Sequence, residues 1–570
     1  MARWVIADNN IDIKQELPGV PVSVLKIMKR RGVEEDQFDD FLSDTPKNTY
    51  DPFLLPDLKE VCERLLECCR EGKKICVYGD YDADGVTATA LMLGLLRNFT
   101  ENLTYYIPSR FDDGYGPNKE AFKRIADEGT DVLVTVDCGI TSKSEIEYAK
   151  SLGMECIVTD HHILREGMTP DCLTVNPHRA DSSYPFPELS GCGVAFKIAQ
   201  GMERICSIID KSELNSFLDL VAISTVADVV PLLDENRTLV KYGLAIINRR
   251  QRPGLDALLS ELSLEGPLDA SGISFVIAPN INALGRMGSA AGGVELLGSL
   301  HTEDELANIA ADIAEINRKR KAVQEDTSRI CRDALEREDC GKYAPVIFAP
   351  GAHEGVAGIV AGMLKEELNK PVCIVSPSAD GSLKGTGRSI PCINLHSLFE
   401  NCGDVFERFG GHAGACGFTV KQGKLEEFRD KMQELVKKQL DENPDLLEKT
   451  IYIEKELEPE EMTLSFAKAL TKLEPFGEAN PVPIFCVRFA KVTDYRKIGS
   501  EGQHLKFTVR TPDGIYLSCI SFWGSEKYYE KIRSGLVDIA GELSINEYKG
   551  RRQLQMKIAD VRESYYDTDK

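Results

Sequence analysis

The 570-residue sequence predicts an α/β protein of two lobes, each a set of parallel strands with flanking helices, followed by a small β-barrel. Three observations predict it. Short apolar runs ending in ionisable residues alternate with helical stretches between Lys74 and Thr159; Thr302 to Glu338 is charged, free of Pro and Gly, and reads as one long helix joining the lobes. Five short β-like runs follow Pro481. Strand–helix alternation implies a parallel sheet, and evenly spaced short strands with turn signals imply a small barrel of the OB type.

In chain order, residues 1–45 read as a helical lead-in, and Asp57 to Glu71 as an amphipathic helix before the first strand. That strand, Lys74 to Tyr78, runs into Asp80, Asp82 and Asp84, and a new apolar helix follows from Val86 to Phe99. Three close carboxylates repel one another, so holding them together costs stability unless a cation neutralises them. Alternate acids on a loop suit hard divalent metals, which take oxygen ligands. Taken alone, the stretch also reads as a solvated acidic turn. The pattern recurs, however. A second strand, Thr130 to Val136, ends at Asp137, and a third, Met154 to Thr159, ends at Asp160-His161-His162. Glu120–Glu128 and Ser142–Leu152 supply the crossover helices. Ligands of parallel sheets sit beyond the carboxyl ends of the strands, so the three ends together predict a metal site.

Pro170 to Leu189 reads as irregular, and Ser190-Gly191-Cys192-Gly193 opens a helix. Asp228 lies among valines and alanine in Thr225 to Pro231, where a carboxylate is costly to bury without a partner; it reads as a helix-end cap or a further metal ligand. Asn280 to Met287 reads as a Gly/Asn turn presenting Arg286, whose planar fork suits phosphate. The second lobe spans 341–445 and contains two glycine-rich segments: a flexible turn, Gly385 to Ser389, carrying Arg388, and the loop Gly410 to Gly417, carrying His412. Glycine-rich loops bring backbone N–H groups close to phosphate. Beyond Leu473 to Pro481 come runs at 484–492, 504–510, 515–522, 535–543 and 552–561. Phe507, Tyr516, Phe522, Trp523 and Tyr548 are interleaved there with Lys506, Arg510, Lys549 and Arg551, the pairing with which barrels hold single strands. Phe507 and Phe522 are expected in the core.

Composition bounds the class. The length implies several cores, and 42% apolar with 28% charged residues is ordinary for a soluble globular chain. Seventeen cysteines show no Cys-x-x-Cys spacing, so a zinc ribbon or disulfide framework is not expected. No leader and no membrane-length apolar run is read, so a cytoplasmic location is expected. The net charge of −23 argues against a general nucleic-acid binder, although local basic clusters occur at Arg249–Arg252, Arg318–Lys321 and Lys549–Arg552.

Asp80-Tyr81-Asp82-Ala83-Asp84-Gly85, Asp137, Asp160-His161-His162 and Asp228 resemble the four motifs of the DHH phosphoesterase superfamily. Gly410-Gly411-His412-Ala413-Gly414-Ala415-Cys416-Gly417 is similar to the signature of the DHH-associated domain. The flanking text is closest to the superfamily's single-strand-specific exonucleases. The resemblance implies two divalent ions, Mn2+ or Mg2+: Asp82 and Asp137, helped by Asp80, hold one, and Asp84, Asp137, His161 and Asp228 the other, with Asp137 bridging. It places His162 and Asp160 beside the substrate or behind the ligands, and makes Arg286 and His412 phosphate contacts; Arg388 and Ser389, a guanidinium and a hydroxyl in a glycine-rich turn, read as further anion-holding groups. Tyr78 stands where the superfamily usually has a ligating His, so the first ion's ligand set departs from the common pattern. The implied activity is 5′-to-3′ degradation of single-stranded DNA to mononucleotides, in repair and recombination. A single-strand-binding protein and a helicase as partners, and a monomeric state, are implied by the family alone. A phosphodiesterase of short oligonucleotides or cyclic dinucleotides, and a non-catalytic replication scaffold, are the competing readings.

Overall fold

The computed structural model describes residues 2–8, 10–110, 116–378, 381–548 and 550–564. The first lobe is built on a five-stranded parallel sheet in the order Leu103–Tyr106, Ile75–Tyr78, Val132–Val136, Glu155–Thr159 and Leu173–Val175. The three central strands are those expected, and Ile75–Tyr78 and Val132–Val136 are buried at every residue. This is why they read as continuous apolar runs rather than alternating ones. The two outer strands were not anticipated, and the second falls in the stretch read as irregular. They are short, and Leu103–Tyr106 is only half-buried, so neither carries a strong apolar signal. The helix Ala83–Leu96 is buried around almost its whole circumference, packed on the sheet side and against Gly191–Cys206 and Leu218–Ala227.

The helix Glu303–Arg337 begins with a reciprocal cap between Thr302 and Glu305 and spans about 52 Å at 1.5 Å per residue. Leu306, Ala310 and Ile313 belong to the first lobe's core; Cys331 belongs to a core of the second, with Val360 and Ile374. The second sheet runs Phe406–His412, Ala415–Val420, Leu383–Arg388, Val372–Pro377, Val346–Phe348, with only the last pair parallel. Phe399, Phe406, Phe418 and Phe428 fill its inner face.

Three glycine-containing segments read as turns or loops are regular structure. Gly385–Arg388 lies within a strand, Gly410–Gly417 forms a hairpin of two strands, and Asn280–Met287 lies within the helix Ala278–Met287. Packing overrides propensity: a Cβ on Gly385 would lie 2.3 Å from the Phe418 ring, and one on Gly387 2.7 Å from Leu395.

The C-terminal barrel contains all five expected strands, as Ile484–Ile498, His504–Arg510, Tyr516–Ser521, Leu536–Tyr548 and Arg551–Glu563. Ile484–Ile498 pairs with both His504–Arg510 and Leu536–Tyr548, which closes it. The helix Ser525–Arg533 between the third and fourth strands went unread. The lead-in is not wholly helical. Arg3–Ile6 is a strand paired in parallel with Thr450–Ile453, and Val24, Leu25 and Met28 share the barrel's core with Phe507 and Leu505. Phe507 is buried as expected, whereas Phe522 is 57% exposed. It follows the last strand residue, Ser521, so the strand's alternation no longer dictates its direction. Lys549 and the side chain of Tyr548 lie outside the described residues. Among the described residues no helix is long and apolar enough to cross a membrane.

Candidate metal centre

The acidic loop is formed by the sharp passage from Ile75–Tyr78 into the helix Ala83–Leu96. Asp82 caps that helix, accepting from the N–H groups of Asp84 and Gly85 at 3.0 Å each. Gly85 is required by space, since a Cβ there would lie 2.4 Å from the Asp80 carbonyl oxygen. Asp84 faces the start of the helix Gly191–Cys206 and accepts from Gly191 N–H at 2.7 Å, Cys192 N–H at 2.8 Å and the Ser224 hydroxyl at 2.6 Å. A helix N-terminus favours a carboxylate in this position. Asp137 follows Val132–Val136 with φ +59°, a strained left-handed backbone for a non-glycine residue. The cost is of the kind stored at functional sites.

These elements bring the predicted acids together. Ligand atoms of Asp80, Asp82 and Asp137 lie within 4.8 Å of one another, and so do those of Asp84, His161 and Asp228. His161 Nε2 stands 3.2 Å from Asp137 Oδ1, 3.5 Å from Asp228 Oδ2 and 3.7 Å from Asp84 Oδ2. Asp137 thus adjoins both triads. Burial and the surrounding negative charge push the carboxyls up: Asp80 and Asp228 to about 8, Asp137 well above its ordinary value, and Asp82 in the same direction. Burial holds His161 below the usual imidazole value despite Asp84. Buried Asp137 Oδ1 and His161 Nε2 have no hydrogen-bond partner. Buried polar atoms are rarely left so, and a hard oxygen-rich set with one imidazole is the donor chemistry of a divalent metal pair. The residues fit two ions.

Asp160 differs. It accepts from His161 N–H, His162 N–H and Ile140 N–H, and contacts His162 Nδ1 at 2.7 Å. Burial works against its charge, but His162 outweighs it and holds the carboxyl at about 2. Burial likewise opposes charge on His162, yet Asp160 raises it to about 9. Asp160 therefore orients His162, whose side chain is 30% exposed.

The phosphate candidates are divided. Arg286, on the last turn of Ala278–Met287, donates to the Gly355 carbonyl at 3.2 Å; Arg388 is held by Thr386 Oγ1 and the Gly387 carbonyl. Burial and the nearby Arg110 and Arg388 charges lower Arg286 to about 10, and burial with Arg110 lowers Arg388. Arg110, with its guanidinium 5.8 Å from the Tyr81 ring centroid, is a third member that sequence reading missed. It follows Leu103–Tyr106 by four residues, so recognising that strand places it at the right end of the sheet. Ser389 donates its hydroxyl to the Ile393 carbonyl at 2.7 Å, which ties down its own loop. His412 is exposed at the end of its strand; partial burial, with His162 and Arg165 nearby, holds it below the ordinary value. Asn282 also went unread: its Oδ1 accepts from Ala83 N–H at 2.8 Å and pins the metal loop to the helix carrying Arg286.

A parallel sheet with paired acidic triads, and an arginine group made of Arg110 and Arg286 from the first lobe and Arg388 from the second, defines a metal-dependent phosphoesterase of the DHH class. Family models agree: the DHH family N-terminal domain matches residues 74–225, the DHHA1 domain 341–438 and the RecJ OB domain 453–560. The chain is 34% identical to the single-stranded-DNA-specific exonuclease RecJ of Bacillus subtilis (strain 168), over 98% of this chain and 70% of that one. It is 33% identical to RecJ of Escherichia coli (strain K12), over 97% of both. The crystal structure of RecJ in complex with Mn2+ from Thermus thermophilus superposes with a TM-score of 0.81 at 29% identity, covering 96% of this chain and 76% of that one. The chain belongs to the RecJ family.

Proposed function

We propose that this chain is a 5′-to-3′ exonuclease specific for single-stranded DNA, releasing 5′-mononucleotides with two divalent ions, manganese or magnesium. The observation that carries the reading is the pairing of two acid triads around Asp137 and His161 with the arginine group Arg110, Arg286 and Arg388. When bound, two ions would supply an activated water and neutralise charge on the scissile phosphate. Asp80, Asp82 and Asp137 would hold one ion, and Asp84, His161 and Asp228, with Asp137 3.2 Å from His161, the other. Asp160 fixes His162 through Nδ1, leaving Nε2 to donate to the phosphate. Arg110, Arg286 and Arg388 hold the 5′-terminal phosphate, with His412 at their edge, and this sets the strand so that one nucleotide lies between that phosphate and the acids. Ser389 acts through the loop it ties.

The barrel supplies a surface for the rest of the strand, through exposed Phe522, Trp523 and Tyr516. The family likeness alone supports a role in repair and recombination, cytoplasmic action as a monomer, and a single-strand-binding protein and a helicase as partners. The test is product analysis on 5′- and 3′-labelled single strands with and without manganese. Labelled mononucleotide released first from the 5′ end, only with metal, is the expected result; attack from the 3′ end overturns the polarity. Activity confined to oligomers of a few nucleotides favours the short-oligonucleotide phosphodiesterase instead.

A further inference from the structure

Past the arginine group, the second-lobe sheet continues as a bare face. Helix Glu354–Leu368 covers the sheet over Val372–Pro377 and reaches Leu383–Arg388, where Gly358 lies against Arg388 and Thr386. The hairpin Phe406–Val420 beyond it floors an open cleft of about 720 Å³, with Tyr81 and Arg110 on the first-lobe side. A terminal phosphate needs a small part of that space, whereas clefts of about 300–1,000 Å³ hold ligands of nucleotide size.

The register shows what the floor presents. Gly385 and Gly387 turn toward the aromatic core, so Lys384, Thr386 and Arg388 turn toward the cleft. Across the strands Arg388 pairs with Ala415 and that with His412; Thr386 with Gly417 and that with Gly410; Lys384 with Thr419 and that with Arg408. Two rows with cationic side chains therefore flank a row in which only Thr386 carries a side chain and both hairpin members are bare backbone. Arg388 and Lys384 are four residues apart, about 13 Å along an extended strand. Neither Gly410 nor Gly417 has a left-handed backbone, and a Cβ on either would meet nothing within 4 Å. Conformation and packing thus require neither glycine. Their effect is to keep the floor flat and its peptide planes open. At the far row, Lys384 Nζ lies 3.5 Å from the Glu354 carboxylate, a partly exposed pair of little strength, and Arg408 Nε reaches the Thr419 hydroxyl at 3.4 Å.

We propose that the second lobe carries a further nucleotide subsite on the 5′ side of the arginine group, with Gly410 and Gly417 as the floor for sugar and base and Lys384 with Arg408 as its phosphate holders. The inference rests on the exonuclease reading above. Its consequence is a second register, in which the 5′-terminal phosphate moves to Lys384 and Arg408 and the first phosphodiester occupies the arginine group. The second phosphodiester then lies at the acids. Water adds to its phosphorus and the P–O3′ bond breaks, with the departing 3′-oxygen taking a proton. The product is a dinucleotide with its 5′-phosphate intact, and the shortened strand keeps a new 5′-phosphate. An ordinary strand is cut in the first register because three arginines hold its terminal phosphate. A strand whose first linkage resists hydrolysis is cut in the second.

The test uses the full chain with manganese and a 5′-phosphorylated strand whose first linkage is a 3′-methylenephosphonate, which keeps its charge but has no P–O3′ bond to break. Release of the modified dinucleotide is expected. The double variant Lys384→Ala with Arg408→Ala should lower that release about tenfold or more. The same variant should leave mononucleotide release from an unmodified strand, and its own melting temperature, unchanged. Dinucleotide release that is indifferent to the double variant overturns the proposal, as does a modified strand that stays intact while the unmodified one is degraded. In the second case the exonuclease reading stands. An unmodified strand that is not degraded from its 5′ end overturns both.

Discussion

Two clusters carry opposite and equally unbalanced electrostatics, one at the strand ends of the first lobe and one where the second lobe meets it. In the first, Asp80, Asp82, Asp137 and Asp228 crowd together with one imidazole among them, and burial and mutual repulsion push their carboxyls up. In the second, Arg110, Arg286 and Arg388 crowd together, and burial and mutual repulsion lower Arg286 and Arg388. Each cluster alone costs stability, since burying like charges without partners is unfavourable. The acids offset the arginines only in part: Asp82 acts on Arg286, but Arg110, Arg388 and Arg320 outweigh it. What the comparison teaches is that both clusters are complementary to something brought in. Divalent cations suit the first, and the proposed function gives the second to phosphate.

The largest effect should come from breaking the acidic side. Asp137→Ala removes a member of one triad that also stands 3.2 Å from His161 of the other, and should lower the rate more than a thousandfold, on the order of 4 kcal/mol in barrier. Single-strand binding, measured by titration, should persist because the barrel is untouched. Robust cleavage by this variant would sink the two-ion arrangement.

Breaking the arginine side should cost less and should depend on the end. Arg388→Ala should slow cleavage of 5′-phosphorylated strands far more than of 5′-hydroxyl strands, by about 1.5–3 kcal/mol, or one to two decades. Equal slowing of both would assign Arg388 to the scissile phosphate rather than the terminal one.

The barrel sharpens the contrast, since its contact with the strand does not rest on a charged cluster. His504 packs edge-on to Phe522 and Trp523, with ring centroids 5.5 and 5.1 Å away, and its Nδ1 accepts from Trp523 N–H. The pair is thus fixed while 57% and 74% exposed. Trp523→Ala should weaken binding of long single strands by about 1–3 kcal/mol and leave cleavage of very short oligomers unchanged. Equal loss on both lengths would make Trp523 a folding residue.

The last effect concerns stability and pH rather than catalysis. Asp80 and Asp228 are raised to about 8 in the folded chain, above the ordinary carboxylate value of about 4 in the unfolded one. Across that window the folded state binds more protons than the unfolded state, so stability falls as pH rises. The melting temperature in chelator should therefore drop between about pH 5 and about pH 8, and manganese should restore most of the loss at the upper end. A chelated protein equally stable at both ends would mean that the acids are paired.

The acidic centre was legible in the sequence because its ligands are coupled to local structure. Asp80 to Asp84, Asp137 and Asp160 to His162 each follow a buried strand by a few residues, and a parallel sheet aligns such ends without further instruction. The long helix was equally legible, since a capped, uninterrupted charged run has few other conformations. The arginine group was legible only in part. Arg286 and Arg388 stand out by residue type, but their glycine-containing segments predict turns where packing makes a helix and a strand, and the half-buried strand before Arg110 gives too weak an apolar signal to place it.

What the tertiary structure alone decided involves partners distant in the chain. Arg3–Ile6 becomes a strand because Thr450–Ile453 offers it an edge, and Val24, Leu25 and Met28 are buried because the barrel supplies their cover. Gly385 and Gly387 lie in a strand because Phe418 and Leu395 occupy the space of their missing side chains. Phe522 is exposed because the sheet's alternation ends one residue before it. Local propensity amounts to tenths of a kcal/mol per residue, whereas a buried aromatic or a shared core contributes about 1.5–3 kcal/mol per side chain. At these positions the larger quantity, set by residues far away in the chain, determined the outcome.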